Sequence, residues 1–448
     1  MQKIIYRIYY FSSAIQHKLK KRVTISGFAV IFCLIFSASL GLDTNQSMTY
    51  QIFTFLVSIV LISIIYTLLF RYRFQGNRTL PKFATVGSKL KYRLVIHNKT
   101  NKIQTKLKLF ENFADPRPTW KEFLETPEPG EDKRTDIDIK LGSYRWLWLV
   151  ARKQCGTAKT IELPPLLPHS KTEIMGEITP IHRGVMRFIG MTVARPDPFG
   201  LLNACQTISL PQSLLILPKL YNLPPIQLPG FRKYQSGGVA LASSVGDSEE
   251  FRSLREYRPG DSLRKIHWKS WAKIGKPIVK EEQDEFFVRH ALILDTFQSV
   301  KYSETLESAI SIAASLASEV QTQESLLDLM FVGNEAYCFT FGRGISHTEK
   351  MLEIMASVVA CRDKSFDSLI PVVLDKISLL SGCICIFIAW DEQRKKLVSY
   401  LNKMGVNTLV LILTNNPDNL EKIEFRQYQL AKFHILKLDK IQEDLMQL

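Results

Sequence analysis

Two stretches near the amino terminus, Val23–Leu42 and Thr44–Phe70, carry no charge over 20 and 27 residues, with Asp43 between them. A helix rises about 1.5 Å per residue, so each run is long enough to cross the ~30 Å hydrocarbon core of a bilayer. Lys18–Arg22 precedes the first run and Arg71, Arg73 and Arg78 follow the second, while the connector Asp43-Thr44-Asn45-Gln46-Ser47 has no cation. By the positive-inside rule both termini are expected in the cytoplasm. A cleaved signal peptide ending near Ser37-Ala38-Ser39 is the competing reading, and the long basic leader and the second apolar run weigh against it.

The remaining chain is long enough for two or three domains, and 46% hydrophobic content excludes a disordered polymer. Seven scattered cysteines without a C-x-x-C point to a reducing compartment rather than a disulfide framework. The net charge of +15 is concentrated in residues 1–22, in Arg71–Arg78 and in residues 251–280, where nine basic residues meet only Glu256 and Asp261. The first two clusters flank apolar runs, which shifts the balance from nucleic acid toward a membrane.

These signals divide the chain into a basic cytoplasmic leader (1–22), two transmembrane helices (23–70), a β-rich region (79–218), a Pro/Gly-rich linker (219–245), a basic motif (246–289) and a carboxy-terminal domain (290–448). In the β-rich region Lys89–His97 alternates as a half-buried strand, with Thr105–Phe110 its expected hairpin partner. Further strands are expected at 160–163, 173–178, 186–193 and 214–217, a spacing that favours a β-sandwich. Arg183-Gly184 and Asp197-Pro198-Phe199-Gly200-Leu201 read as turns. From Ala291 onward apolar strands alternate with helical patterns, which predicts a mostly parallel sheet covered on both faces.

The basic motif runs from Gly246 to Ser270 and contains Glu250, Phe251, Leu254, Arg255, Tyr257, Gly260, Asp261, Arg264, Ile266, His267, Trp268 and Lys269. Asp261 is placed to cap a short helical turn, and Arg255 to pair with Glu250 or Asp261. The register of these residues resembles the signature of the domain-of-unknown-function family numbered fifty-eight, with Trp271 where a small residue is expected. The resemblance implies a doubly wound α/β von Willebrand factor A-like domain, preceded by a β-sandwich-like region and a transmembrane hairpin. It also implies a non-enzymatic accessory protein of a bacterial inner membrane, working with a MoxR-type AAA+ ATPase on an envelope or membrane client.

Von Willebrand A domains carry D-x-S-x-S at the end of the first strand, and the resemblance places Asp295-Thr296-Phe297-Gln298-Ser299 there. Phe297 supplies no oxygen to Mg²⁺, a hard ion wanting about six. A degenerate site of Asp295, Ser299 and Asp391 remains, with Thr340 or Ser346 as further oxygens, and a metal-independent contact surface is the favoured reading. The alternatives are an enzyme using a metal or His267, or a binder of anionic lipid or nucleic acid through residues 251–280, of which nucleic acid is disfavoured.

Overall fold

The computed structural model describes residues 2–40, 47–69, 73–224, 251–259, 261, 263, 266–282, 289–322, 326–342, 345–414 and 428–448. The chain forms two compact units, residues 1–218 and 219–448.

The first unit opens with three helices: α1 (Gln2–Arg22), α2 (Ile25–Leu40) and α3 (Ser47–Leu69). At 23 residues α3 is about 35 Å long, and Met48–Leu69 is apolar enough to cross a membrane. As described, α2 has 16 residues and spans about 24 Å. It begins two residues later than its apolar run because Val23 is taken into a β-bridge with Leu202 and the Thr24 N–H donates to Leu201 O (3.0 Å). Residues 2–22 of the expected leader form α1, which packs on the unit.

Nine strands follow in two sheets. β1 (Phe74–Thr79), β3 (Leu90–Asn98), β5 (Gly156–Ala158) and β7 (Lys171–Pro180) form one, in the order β1-β3-β7-β5. The second contains β2 (Phe83–Thr85), β4 (Lys108–Phe113), β6 (Ile161–Glu162), β8 (Gly184–Pro196) and β9 (Asn203–Leu217), in the order β2-β9-β8-β4-β6. Leu94, Ile96 and Ile178 from the first sheet and Leu109, Met191 and Ile216 from the second share one buried core, so the region begins at Phe74, not at residue 79. The expected hairpin does not form, because β3 and β4 lie in different sheets. β3 pairs instead with β1 and β7, and β4 with β8.

Between β4 and β5 an unexpected helical insertion appears, comprising α4 (Trp120–Glu125), α5 (Asp136–Leu141) and α6 (Ser143–Lys153). A capping box between Thr119 and Glu122 starts α4. Phe123, Trp146 and Leu149 of the insertion are buried together, and Tyr6 of α1 lies 5.2 to 5.7 Å from the rings of Trp120, Trp146 and Phe123. Arg78, read from the sequence as a flanking cation, is buried inside the sandwich. Its guanidinium forks onto Glu111 (2.5 and 3.3 Å), and Tyr92 Oη donates to the same carboxylate (2.8 Å).

In the second unit β10 (Phe251–Glu256) pairs antiparallel with β11 (Ile278–Glu282), and α7 (Trp268–Ile274) lies in the connection. Residues assigned from sequence to the linker already belong here: the Tyr221 N–H donates to Ser315 Oγ (2.8 Å), and Asn222 exchanges hydrogen bonds with Gln442. Residues 225–245 of the linker lie outside the described residues. A six-stranded sheet then combines β12 (Arg289–Leu294), β13 (Leu326–Val332), β14 (Ala336–Phe341), β15 (Gly382–Phe387), β16 (Asn407–Thr414) and β17 (Ala431–Lys437). Its order is β14-β13-β12-β15-β16-β17, parallel except for β14. β12, β13 and β15 are buried along nearly their whole length, as the continuous apolar runs anticipate.

Helices α8 (Glu304–Thr322), α9 (Ile345–Ser357), α10 (Ile370–Lys376), α11 (Glu392–Lys403) and α12 (Ile441–Leu445) complete the unit. Val373 of α10 and Leu397 and Leu401 of α11 share a core with Ala291 and Ile293 of β12. Residues 366–379 form no single helix but a 3₁₀ turn at Phe366–Ser368, α10 and a second 3₁₀ turn at Ile377–Leu379. Pro371 fits only the first turn of α10, so it sets where that helix starts.

His290 in β12 is buried, its Nδ1 has no hydrogen-bond partner among the described residues, and burial pushes its pKa down to about 4. The folded form therefore holds the neutral ring while the unfolded chain takes up a proton near pH 6.5, so stability falls as pH drops from 6.5 toward 4. This acid sensitivity of the melting temperature should shrink in His290→Gln. In the first unit, Glu111→Ala strands a buried guanidinium and should cost roughly 3–5 kcal/mol in denaturant unfolding. Glu173→Ala, which breaks the exposed Arg93–Glu173 pair, should cost less than about 1 kcal/mol.

Candidate functional site

Strand order reverses between β12 and β15, and in open α/β sheets the carboxyl ends beside such a reversal form the binding crevice. Asp295 follows β12 directly, held by its N–H on Ile386 O (3.0 Å). The residue is fully enclosed. Its Oδ1 accepts from the Phe297 N–H and from Arg394 Nη2, both at 3.1 Å, and its Oδ2 accepts from the Ile388 N–H (3.1 Å) and Arg394 Nε (2.9 Å). Burial pushes the Asp295 carboxyl up, while the Arg394 guanidinium and the two amides oppose that shift.

Arg394 lies in the first turn of α11. Asp391 is the N-cap of that helix, its Oδ1 accepting the Arg394 N–H (3.1 Å), and its Oδ2 also receives Arg394 Nη1. The guanidinium stands 4.6 Å from the centre of the Phe366 ring, and Phe297 meets that ring edge-on at 5.4 Å. Both carboxylates proposed for a degenerate metal site are thus joined by an internal cation. A divalent ion would have to displace this charge-assisted fork to reach Asp295.

Ser299 lies in an exposed bend outside this enclosure. Thr340, considered as a further oxygen donor, is engaged elsewhere: its Oγ1 donates to Asp328 Oδ1 (2.6 Å), and Asp328 is forked by Arg289 (2.7 and 3.0 Å) at the amino end of β12. The Ser346 side chain lies outside the described residues. Among the described residues no group of three or more His, Cys, Asp or Glu side chains is placed to hold a metal ion. The described residues do not fit Mg²⁺. Cys383 and Cys385 face one another at 3.7 Å within the core, where burial pushes the Cys385 thiol up.

In the basic motif, Arg255 Nη1 and Nη2 each donate to Asp261 at 2.7 Å, and the Arg258 N–H adds a third bond (2.8 Å). These donors hold the Asp261 carboxyl down at about 2, the Arg255 side chain contributing most. Asp261 thus ties the loop after β10 back to its last strand residues. The Tyr257 N–H donates to Pro277 O (2.9 Å) and the His267 N–H to Ile278 O (2.8 Å), fastening the connection to β11. His267 Nδ1 lies 2.7 Å from Ser270 Oγ.

Trp268 and Trp271 stack with ring centres 5.1 Å apart, and Trp268 is 65% exposed. Lys269, Lys273 and Lys276 are exposed around them, Lys276 paired with Glu256 (3.0 Å). Trp271, unexpected at its position, therefore has a role as the partner of Trp268. Glu250, Gly260 and Arg264 and the side chain of Phe251 lie outside the described residues. Sequence reasoning missed Arg394, although Asp391 and Arg394 at helix spacing i, i+3 carried a signal.

Fold and site define a mixed α/β protein with one described helix long and apolar enough to span a membrane and an α/β sheet whose carboxyl edge is closed by a buried arginine. Residues 253–377, from the basic motif to the end of α10, match the family described as "Protein of unknown function DUF58". The chain is also similar to the uncharacterized protein YeaD of Bacillus subtilis (strain 168), 26% identical over 182 residues. That similarity covers 40% of this chain and 44% of the relative, so the chain matches less than half of the relative's length. Among solved structures, a Salmonella alpha-2-macroglobulin aligns with 40% of this chain and 9% of its own at 12% identity and a TM-score of 0.18. A GH20 exo-β-N-acetylglucosaminidase from Vibrio harveyi aligns with 77% of this chain and 57% of its own at 8% identity and a TM-score of 0.13.

Replacing Arg394 by Met leaves the enclosed Asp295 carboxylate without its cation and should cost roughly 3–5 kcal/mol of unfolding free energy. Adding Asp295→Asn should recover part of that loss, giving a double-mutant coupling of ~1–3 kcal/mol. Additive losses would show that the two side chains act independently.

Proposed function

We propose that the chain is a membrane-anchored, non-enzymatic interaction and assembly protein whose carboxy-terminal domain is von Willebrand factor A-like and works without a catalytic metal. In this reading it couples a MoxR-type AAA+ ATPase to an envelope or membrane client. The observation that carries it is the Arg394 fork on Asp295 and Asp391, which puts a protein cation where an A domain would recruit an ion. The strand order, with one antiparallel strand at the edge, supports the A-like assignment.

The anchor in this reading is a hairpin of α2 and α3 in a bacterial inner membrane with both termini cytoplasmic. Support comes from the length of α3 and the basic residues that precede α2. The partner surface is the basic motif, where exposed Lys269 and Lys273 flank the stacked tryptophans and the Arg255–Asp261 fork fixes the loop after β10. The same tryptophans give a second reading, single-stranded nucleic acid stacked on Trp268. An enzymatic reading would rest on the His267–Ser270 contact and needs a carboxylate to orient the ring; Ser270 is the one side-chain partner of His267 among the described residues.

Lys269→Glu combined with Lys273→Glu should weaken binding of the purified ATPase about tenfold at low salt, chiefly through the association rate, and less at high salt. Unchanged binding by a folded double variant would remove this face from the contact. Retained ATPase binding with a lost affinity for oligonucleotide would leave the protein partner elsewhere and favour the second reading. For the anchor, a fluorescent reporter fused after Leu448 should mature in the cytoplasm, and a periplasmically active phosphatase fusion at that point would reverse the topology.

A further inference from the structure

We propose that α1 lies in the plane of the membrane as an interfacial helix, its apolar stripe seated among anionic headgroups and upper acyl chains. One face of α1 is covered, since Tyr6 and Tyr9 pack against Trp120, Phe123 and Trp146 of the helical insertion and Tyr6 Oη donates to Pro118 O (3.0 Å). The face turned away carries Ile4, Ile8, Phe11, Ile15 and Leu19, each between 40% and 66% exposed. Spacings of three and four residues put all five on one stripe. Lys3, Arg7 and Lys18 border that stripe, Arg22 follows its end, and the helix contains no acid. An apolar stripe bordered by cations is the pattern of a helix lying on an anionic bilayer surface.

Continuity selects the bilayer over another occupant. The stripe ends at Leu19, and the apolar helix α2 begins at Ile25, so α1 enters directly into a segment read as membrane-embedded. The junction is held by the Asp197–Leu201 turn, where Thr24 Oγ1 and Ser26 Oγ donate to Gly200 O (2.5 and 2.7 Å) and Asp197 Oδ1 accepts the Leu201 N–H (2.7 Å). Gly200 supplies the left-handed φ of +69° that the turn needs, and a side chain on Gly27 would come within 2.2 Å of Leu201 O, so only glycine at 27 allows the close approach. Phe199 at the tip of the same turn is 48% exposed and gives the β-sandwich a contact at the same level. The turn thereby positions the sandwich at the membrane surface.

This inference rests on the membrane-anchored reading, and the test separates the two. Full-length protein carrying an environment-sensitive fluorescent amino acid at position 11 or 15 is reconstituted into vesicles of neutral and anionic phospholipid containing a shallow doxyl-labelled lipid. Quenching by the lipid label at least twofold stronger than by aqueous iodide is expected, reduced by Lys3→Glu with Arg7→Glu and Lys18→Glu. Strong iodide quenching at both positions in protein that resists carbonate extraction would overturn the interfacial helix while leaving the anchor in place. Protein released by carbonate would overturn both. Dilution-dependent self-quenching without lipid quenching would assign the stripe to a second copy of the chain and likewise overturn the proposal.

Discussion

A guanidinium held in the dry edge of the α/β sheet organises the second unit. Arg394 joins the segment after β12 through Asp295, the start of α11 through Asp391 and the Phe366 turn through ring contact, while Asp295 also receives the amide that follows β15. Two central strands, one helix and one turn are thus fixed by a single charge cluster at the strand reversal. Such a pair adds little net stability compared with an apolar replacement, because both charges must leave water. Its consequence is specificity, since every lone pair of the Asp295 carboxylate already has a directed donor and alternative arrangements strand a charge.

The same device recurs. Arg289 forks Asp328 at the amino end of β12, with Thr340 as the third member, so the first strand of the sheet is pinned at both ends by buried Arg–Asp pairs. In the first unit Arg78, Glu111 and Tyr92 form an enclosed triad between the two sheets, with Arg78 also over the Phe188 ring at 4.4 Å. Burial and the adjacent Glu111 carboxylate push the Tyr92 hydroxyl up, which keeps it a donor.

What the sequence made legible follows from periodicity. The strands read at 291–294 and 383–389 and the helix beginning at Glu304 stand out because a fully buried strand is apolar at every position and a covering helix repeats every three to four residues; the second strand is observed at Gly382–Phe387. Pairing was not legible: nothing local in residues 89–110 tells β4 to leave its neighbour β3 for the opposite sheet, since that choice is made by Met191 and Val193 on β8. The insertion of α4 to α6 was hidden because its helices are short and take their order from Tyr6, over a hundred residues away. At the candidate site Asp295 and Asp391 could be read as carboxylates at strand ends and Arg394 as a local i, i+3 partner of Asp391, whereas its fork onto Asp295, 99 residues away, could not.

The central claim is that this internal cation takes the place of an ion at the carboxyl edge. Its most direct test is the thermal melting of full-length protein in detergent, titrated with Mg²⁺ and compared with Asp295→Ala. A ligand bound to the folded state raises the melting point in proportion to RT ln(1 + [L]/Kd). The account predicts no Mg²⁺-dependent rise in the wild type. A rise that grows with Mg²⁺ and disappears in Asp295→Ala would contradict it.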